Sequence, residues 1–205
     1  MAKDILEAIQ KTIFSAYNET SSKKVGKQIK LTEDKEEAKC REVTFEISGE
    51  VLICKFDKVV QDEEHNSLKH PLIFLSQDKP IRSLCDYIVF YKKENNKGAH
   101  NFYCLICNMK SDSTGNMEDQ MLSGQILSDF IIKTAIRCYN SWNSETKNPK
   151  ILLEYPPFIV KEIAIYSTIP SGVSLPKGNS KPKKNEAKRR YLLCNQEYNL
   201  DSILY

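Results

Sequence analysis

Three polar residues stand at the ends of two apolar runs that have the composition of β-strands. Asp86 stands near the head of the run 83–92, and Asn108 and Lys110 stand at the tail of the run 100–110. Asn108 and Lys110 are two residues apart, so on a strand their side chains leave the same face of the sheet. An acid, a second oxygen ligand and a lysine at adjacent strand ends predict a site for a metal ion and a phosphate group. For that chemistry the position of Asn108 should be acidic, and here it carries an amide.

The composition bounds the class of protein. The chain has 205 residues, of which 40% are apolar and 28% charged, so it can form one domain with a substantial core. The net charge of +3 permits nucleic-acid binding without requiring it. The sequence shows neither an apolar run long enough to span a bilayer nor a start of signal-peptide type. We therefore expect a cytoplasmic protein, not bound to a membrane, whose seven cysteines are reduced.

Other kinds of chemistry have weaker support in the sequence. It contains no glycine-rich phosphate loop, and its three scattered histidines form no nucleophile motif, which disfavours nucleotide-dependent and triad chemistry. Cys104 and Cys107 have a spacing found in structural zinc sites, but on a strand their side chains point to opposite faces. We expect both to be buried structural thiols.

Hydrophobic periodicity predicts the elements that must position the three polar residues. Apolar residues at helical spacing predict helices over 3–18 and 117–142, and a further apolar run predicts a strand over 158–167. Residues 19–39 are polar and mixed in charge, which predicts a loop or a solvated helix.

Residues 41–48 alternate between apolar and polar side chains, and Ser48-Gly49-Glu50 then leads into the mostly apolar run 51–57. This pattern predicts a β-hairpin that turns at the glycine. Pro71–Leu75 has the composition of either a short strand or a buried turn, and the pattern does not decide between them.

These elements predict an α/β fold: a single domain with a central mixed β-sheet flanked by helices. We expect the chain to be organised as an N-terminal helix and loop (1–40), a core (41–167), a basic loop (177–190) and a C-terminal tail (191–205).

The element order and three short motifs resemble those of the PD-(D/E)XK nuclease superfamily. That superfamily has a restriction-endonuclease-like core made of a helix, a three-stranded meander, a helix and a further strand. The resemblance covers about residues 83–167 and follows a "CDY…ELKS…QL" pattern of some bacterial members. The motifs are the Cys-Asp-Tyr-Ile-Val-Phe run at 85–90, Cys-Asn-Met-Lys-Ser at 107–111, and Gln-Met-Leu-Ser-Gly-Gln at 120–125.

The resemblance implies a role for each matching residue. Asp86 would bind Mg²⁺, with Asn108 at the position of the second acid. Lys110 would stabilise charge on the phosphate and help to position the attacking water. Gln120 or Gln125, on the following helix, would assist catalysis. Glu7, on the first helix, stands where some members add another acidic metal ligand.

Asn108 leaves two interpretations open. An amide oxygen can bind a metal but brings no charge, and Mg²⁺ binding is mainly electrostatic. The chain is then either a Mg²⁺-dependent nuclease acting on DNA phosphodiesters, with Glu7 or Asp112 supplying the missing charge, or a catalytically inactive nuclease-fold subunit or adaptor. In the second case it would bind a partner protein in a defence complex. The setting in bacterial antiviral defence is implied by the resemblance alone.

Basic residues concentrate in the segment 177–190, which Gly178 and Pro182 interrupt. This composition predicts a mobile loop that either is solvated or contacts the DNA backbone through its charges. The predicted DNA-binding residues are Lys181, Lys183, Lys184, Lys188, Arg189 and Arg190.

Overall fold

The computed structural model describes residues 2–13, 24–34, 36–56, 60–62, 67–69, 84–110, 116–144, 154, 156–168 and 189–204. Its elements, in chain order, are α1 Ala2–Thr12, β1 Lys24–Thr32, β2 Glu42–Lys55, β3 Val60–Asp62, β4 Ser67–Lys69, β5 Tyr87–Glu94, β6 His100–Lys110, α2 Met117–Ser144, β7 Phe158–Tyr166, β8 Arg189–Leu193, β9 Glu197–Asn199 and α3 Leu200–Leu204. Within these stretches, every helix is too short or too polar to cross a membrane.

One mixed sheet organises the molecule, with strand order β1-β2-β5-β6-β7-β8 and with β9 paired to β2. Neighbouring strands are antiparallel from β1 to β6, and β6, β7 and β8 are parallel to one another. Helix α2 connects β6 to β7, as a crossover between parallel strands requires. The predicted α/β fold with a mixed sheet flanked by helices is therefore confirmed. Strands β3 and β4 form a separate small hairpin.

Helices α1 and α2 cover one face of the sheet, and α3 packs on the other. Ile5, Leu6 and Ile9 of α1 are buried in the same cluster as Ile131 of α2 and Ile106 of β6. On the opposite face, the three buried residues of α3 pack with apolar side chains of β1, β2, β5, β6 and β7. A sheet covered on both faces explains why β5 and β6 are nearly continuously apolar.

Gly124 lets α2 lie directly on the sheet. A Cβ at this position would overlap Cγ2 of Ile106 and would lie 2.7 Å from the Sγ atom of Cys85. Any larger residue would therefore push the helix away from the strand end that carries Asp86.

The hairpin predicted over 41–57 is wrong, because these residues form the single long strand β2. Gly49 lies within this strand, where a Cβ would overlap the carbonyl oxygen of Lys92 on β5. The glycine thus permits close approach of a neighbouring strand and does not mark a turn. Strand β2 pairs with β1 on one edge over residues 42–51 and with β5 on the other edge over residues 50–55.

The loop or solvated helix predicted over 19–39 is wrong at residues 24–32, whereas residues 33–34 and 36–39 belong to no helix or strand, as a loop requires. Residues 24–32 form β1, which pairs with β2 and is the edge strand of the sheet as far as the structure describes it. Gln28 and Lys30 are exposed while Ile29 and Leu31 are buried, an alternation too short to outweigh the polar composition.

Helix α1 ends at Thr12, earlier than predicted, and residues 14–18 lie outside the described stretches. Strands β5, β6 and β7 and helix α2 lie close to their predicted bounds. The prediction for Pro71–Leu75 falls outside the described residues.

Candidate functional site

The antiparallel pairing of β5 with β6 brings Asp86 and Asn108 into direct contact. Asp86 immediately precedes β5, and Asn108 lies two residues before the end of β6. The backbone N–H of Asp86 donates a hydrogen bond of 3.1 Å to Oδ1 of Asn108. In return, the backbone N–H of Met109 donates to Oδ2 of Asp86 at 2.5 Å. The two strand ends are thus joined by a reciprocal pair of side-chain to backbone hydrogen bonds.

Both side chains of this pair are withdrawn from solvent. Asp86 is 7% exposed and Asn108 is 0% exposed. The Nδ2 atom of Asn108 is buried and finds no hydrogen-bond partner among the residues that the structure describes. Leaving such a donor unsatisfied costs about 1–3 kcal/mol.

Lys110 and Gln120 extend the contact to helix α2. Lys110 Nζ donates to Oε1 of Gln120, and Nε2 of Gln120 donates at 3.0 Å to the carbonyl oxygen of Leu84, two residues before Asp86. Gln120 lies in the first turn of α2, so it ties the helix to both strand ends. Four of the residues that the resemblance singles out, Asp86, Asn108, Lys110 and Gln120, therefore lie around one end of the β5–β6 pair.

An open cavity of about 600 Å³ borders the same end of β6. Met109 and Lys110 form part of its wall, and Cys40 and the connection between β1 and β2 form the rest. That connection contributes Glu33, Glu36 and Glu37, so three acidic residues line the cavity together with Lys110. The cavity is thus an acidic neighbour of the strand end and not a basic one that would attract phosphate.

Gln125 belongs to a different cluster, centred on Glu162 of β7. Nε2 of Gln125 donates to Oε1 of Glu162 at 2.5 Å, and Glu162 is only 3% exposed. Arg189 of β8 donates from Nε to Oε2 of the same carboxylate at 2.7 Å. Arg189 also forms an ion pair with Glu118 at the start of α2. The hydrogen bonds that Arg189 donates, first to Glu118 and then to Glu162, raise the pKa of its guanidinium above its ordinary value, although burial opposes them.

The sequence interpretation missed Glu162 and the pairing of Arg189 with it. The available signal was an acid inside the apolar run of β7, because a buried charge on a covered strand needs a partner. The identity of that partner, 27 residues further along the chain, has no local signature.

Glu7 forms an ion pair of 2.7 Å with Lys11, one turn further along α1. Asp112, the other acid considered as a substitute for Asn108, lies outside the described residues. The described stretches contain no group of three or more histidine, cysteine, aspartate or glutamate side chains able to hold a metal ion.

The contacts of Asp86 and Asn108 do not fit a Mg²⁺ ion held between them. The amide oxygen of Asn108 already accepts the N–H of Asp86, and its other polar atom is an NH₂ donor, which repels a cation. Rotating the amide would place that donor against the N–H of Asp86, so the backbone fixes its orientation. Of these two residues, Asp86 alone can offer a metal ion a charged oxygen. One of its two oxygens, Oδ2, already accepts the backbone N–H of Met109.

The cysteines of β6 are buried thiols, as predicted. Cys104 packs with the core on the α1 and α2 face, and Cys107 packs with the core on the opposite face. Burial raises the pKa of Cys104 to about 12, so its thiol stays protonated at neutral pH. The two side chains therefore lack both the common face and the thiolate character of a zinc pair.

Lys181, Lys183, Lys184 and Lys188, the lysines of the predicted DNA-binding set, lie outside the described residues. The prediction of a mobile loop is wrong at Arg189 and Arg190, because both belong to β8 and pair with β7. Arg190 is buried, and its Nε donates to the carbonyl oxygen of Ile203 at 3.2 Å. Both guanidinium groups are thus engaged within the chain.

Comparisons with known proteins identify no relative of this chain. It matches no protein-family model. A search of curated proteins and a search of solved structures also give no significant match. The function of the site therefore has to be inferred from its residues and their contacts.

Proposed function

We propose that the chain is a nuclease-fold protein whose strand-end site does not support metal-dependent cleavage and that it acts by binding a partner protein. Support for the fold comes from the element order: α1, the antiparallel meander β2-β5-β6, α2 and the parallel strand β7. This is the order that the PD-(D/E)XK resemblance implies, with Asp86 and Lys110 at the expected strand ends.

The single observation that supports the loss of catalysis is the burial and hydrogen bonding of the Asn108 amide. Its oxygen is used by the backbone of Asp86, and its NH₂ group is buried without an acceptor in the described part of the chain. A catalytic Mg²⁺ requires several oxygen ligands and access for water and phosphate. The neutral, fully buried amide offers neither the charge nor the access.

The contacts of the neighbouring cations favour a protein partner over nucleic acid. Lys110 bonds to Gln120, and Arg189 bonds to Glu118 and Glu162. A phosphate backbone would have to compete with these partners, and it would also be repelled by the three glutamates that line the cavity next to Lys110. A subunit or adaptor in a bacterial antiviral complex in the cytoplasm is the setting that the resemblance implies for such a protein.

The direct test is a cleavage assay on plasmid DNA and on single-stranded DNA with Mg²⁺ and with Mn²⁺. We expect the wild-type chain to show the same background as Asp86→Asn, which keeps an acceptor for the N–H of Met109 but removes the charge. Metal-dependent cleavage by the wild type that is lost in both Asp86→Asn and Lys110→Ala would contradict the proposal.

A Mg²⁺-dependent DNA nuclease is the second candidate, and one observation favours it. Asp86, Asn108, Lys110 and Gln120, four of the six site residues that the nuclease resemblance implies, lie around one strand end. In this case Asn108→Asp or Asn108→Glu would restore a charged ligand and raise Mg²⁺-dependent cleavage. The lysines of the segment 181–188 would then supply contacts to the DNA backbone.

A further inference from the structure

Helix α2 carries large apolar side chains on the face that points away from the sheet. Leu122, Ile126 and Phe130 are 57%, 45% and 58% exposed. They follow one another at intervals of four residues, so they form one ridge along the helix, here named the α2 stripe. A helix that packs on a sheet normally shows polar residues on this face. A contiguous exposed apolar ridge is typical of an interaction surface.

Opposite charges stand at the two ends of the α2 stripe. Glu118 lies four residues before Leu122, and its side chain is 80% exposed. Lys133 and Arg137 continue the exposed face beyond Phe130, and the Lys133 side chain is 65% exposed. The exposed face of α2 therefore carries a carboxylate before its apolar middle and two cations after it, of which Lys133 is paired with Asp129.

We propose that the α2 stripe binds the α2 stripe of a second copy of this chain, with the two helices antiparallel about a two-fold axis at Ile126. This pairing sets Ile126 against Ile126 and Leu122 against Phe130. It also sets Glu118 of one copy beside Lys133 of the other, because both lie about two turns from the axis. The pairing takes the shallow crossing of about 20° at which three-residue ridges of one helix pack into four-residue grooves of the other, and there these positions stay within side-chain reach.

Charge selects the antiparallel arrangement over a parallel one. A parallel pair would place Glu118 against Glu118 and Lys133 against Lys133, which is repulsive. The antiparallel pair makes the surface complementary to itself, as a two-fold interface requires. Within its own chain, Glu118 also accepts a hydrogen bond from Arg189, and Lys133 forms an ion pair with Asp129. A carboxylate accepts several donors, so the contacts between copies do not need to break these.

The proposal is independent of the proposed function, because it uses no residue of the strand-end site. The ridge is short, so we expect a dimer with a dissociation constant on the order of micromolar rather than an obligate one.

Sedimentation velocity over a concentration series, roughly 1–500 μM, tests the dimer, since this range brackets the dissociation constants expected of small interfaces. We expect the wild type to shift from monomer to dimer and Ile126→Glu to dimerise at least about tenfold more weakly, since it sets two buried carboxylates against each other. Ile159→Glu is the matched control, because Ile159 of β7 is 42% exposed but lies off the helix. It should dimerise like the wild type. Circular dichroism checks that each variant is folded.

Charge reversal tests the antiparallel geometry. Glu118→Lys and Lys133→Glu should each weaken the dimer, and the double variant should recover it, because the pair is restored with its signs exchanged. A wild type that stays monomeric throughout the series would overturn the proposal and would assign the α2 stripe to a different protein. A dimer that Ile126→Glu leaves unchanged, or that Ile159→Glu weakens equally, would also overturn it.

Discussion

Glu162→Ala is expected to destabilise the fold by about 3–5 kcal/mol, a large share of the net stability of a domain of this size. Glu162 is buried on β7 and accepts hydrogen bonds from Gln125 and Arg189. Removing its carboxylate takes away the buried one of the two carboxylates that bind Arg189, and leaves the amide of Gln125 without the acceptor that Glu162 provides. Chemical denaturation followed by circular dichroism measures the effect.

Glu118→Ala is the matched control for this prediction. It removes the other carboxylate bound to Arg189, but the Glu118 side chain is 80% exposed, so water replaces the lost contact. We expect a cost below about 1 kcal/mol, as for exposed ion pairs in general. Equal effects of the two substitutions would show that burial of Glu162 does not govern the stability of this cluster.

Asn108→Asp is expected to be strongly destabilising at neutral pH and nearly neutral in acid. The substitution keeps an acceptor for the N–H of Asp86 but puts a carboxylate at a fully buried position beside another acid. Burial and the like charge both raise the pKa of the new carboxyl in the folded state. We expect a loss of about 3–5 kcal/mol at pH 8 in the absence of divalent cations.

The pH dependence of this loss follows from the raised pKa. Below the unfolded value of about 3.9 the new carboxyl is protonated in both states, so the penalty is absent. The penalty grows as the pH rises toward the folded pKa and is constant above it. Thermal unfolding of the wild type and of Asn108→Asp between pH 4 and 8 measures this stability penalty. Asn101→Asp is the control. Asn101 lies on the same strand but is partly exposed. A gap between Asn108→Asp and wild type that does not widen with pH would contradict the burial of this site.

The sequence predicts the centre of the fold well, because several signals agree there. The bounds of β6 match the predicted 100–110, and α2 begins at the predicted residue 117. Both elements are long and strongly patterned, and a turn with Gly98 at a φ of 75° separates β5 from β6. The convergence of Asp86 with Asn108 follows from antiparallel neighbours together with the two-residue period of a strand.

The remaining features depend on contacts that a single sequence does not display. Gly49 has the local signature of a turn, and only the approach of Lys92 shows that it belongs inside a strand. Strand β1 owes its existence to pairing with β2 and not to its own composition. At the site, residue types predict which side chains meet, but not that the Asp86 N–H uses the oxygen of Asn108.

Titration of the wild-type chain with Mn²⁺, followed by calorimetry and by electron paramagnetic resonance of the ion, tests the central claim most directly. The ion binds the same oxygen ligands as Mg²⁺ and is visible spectroscopically. Because Asn108 presents an engaged oxygen and an NH₂ donor beside Asp86, we expect wild type and Asp86→Asn to bind Mn²⁺ equally weakly, without a saturable site. A site that binds one Mn²⁺ per chain in the wild type and is lost in Asp86→Asn would contradict the claim.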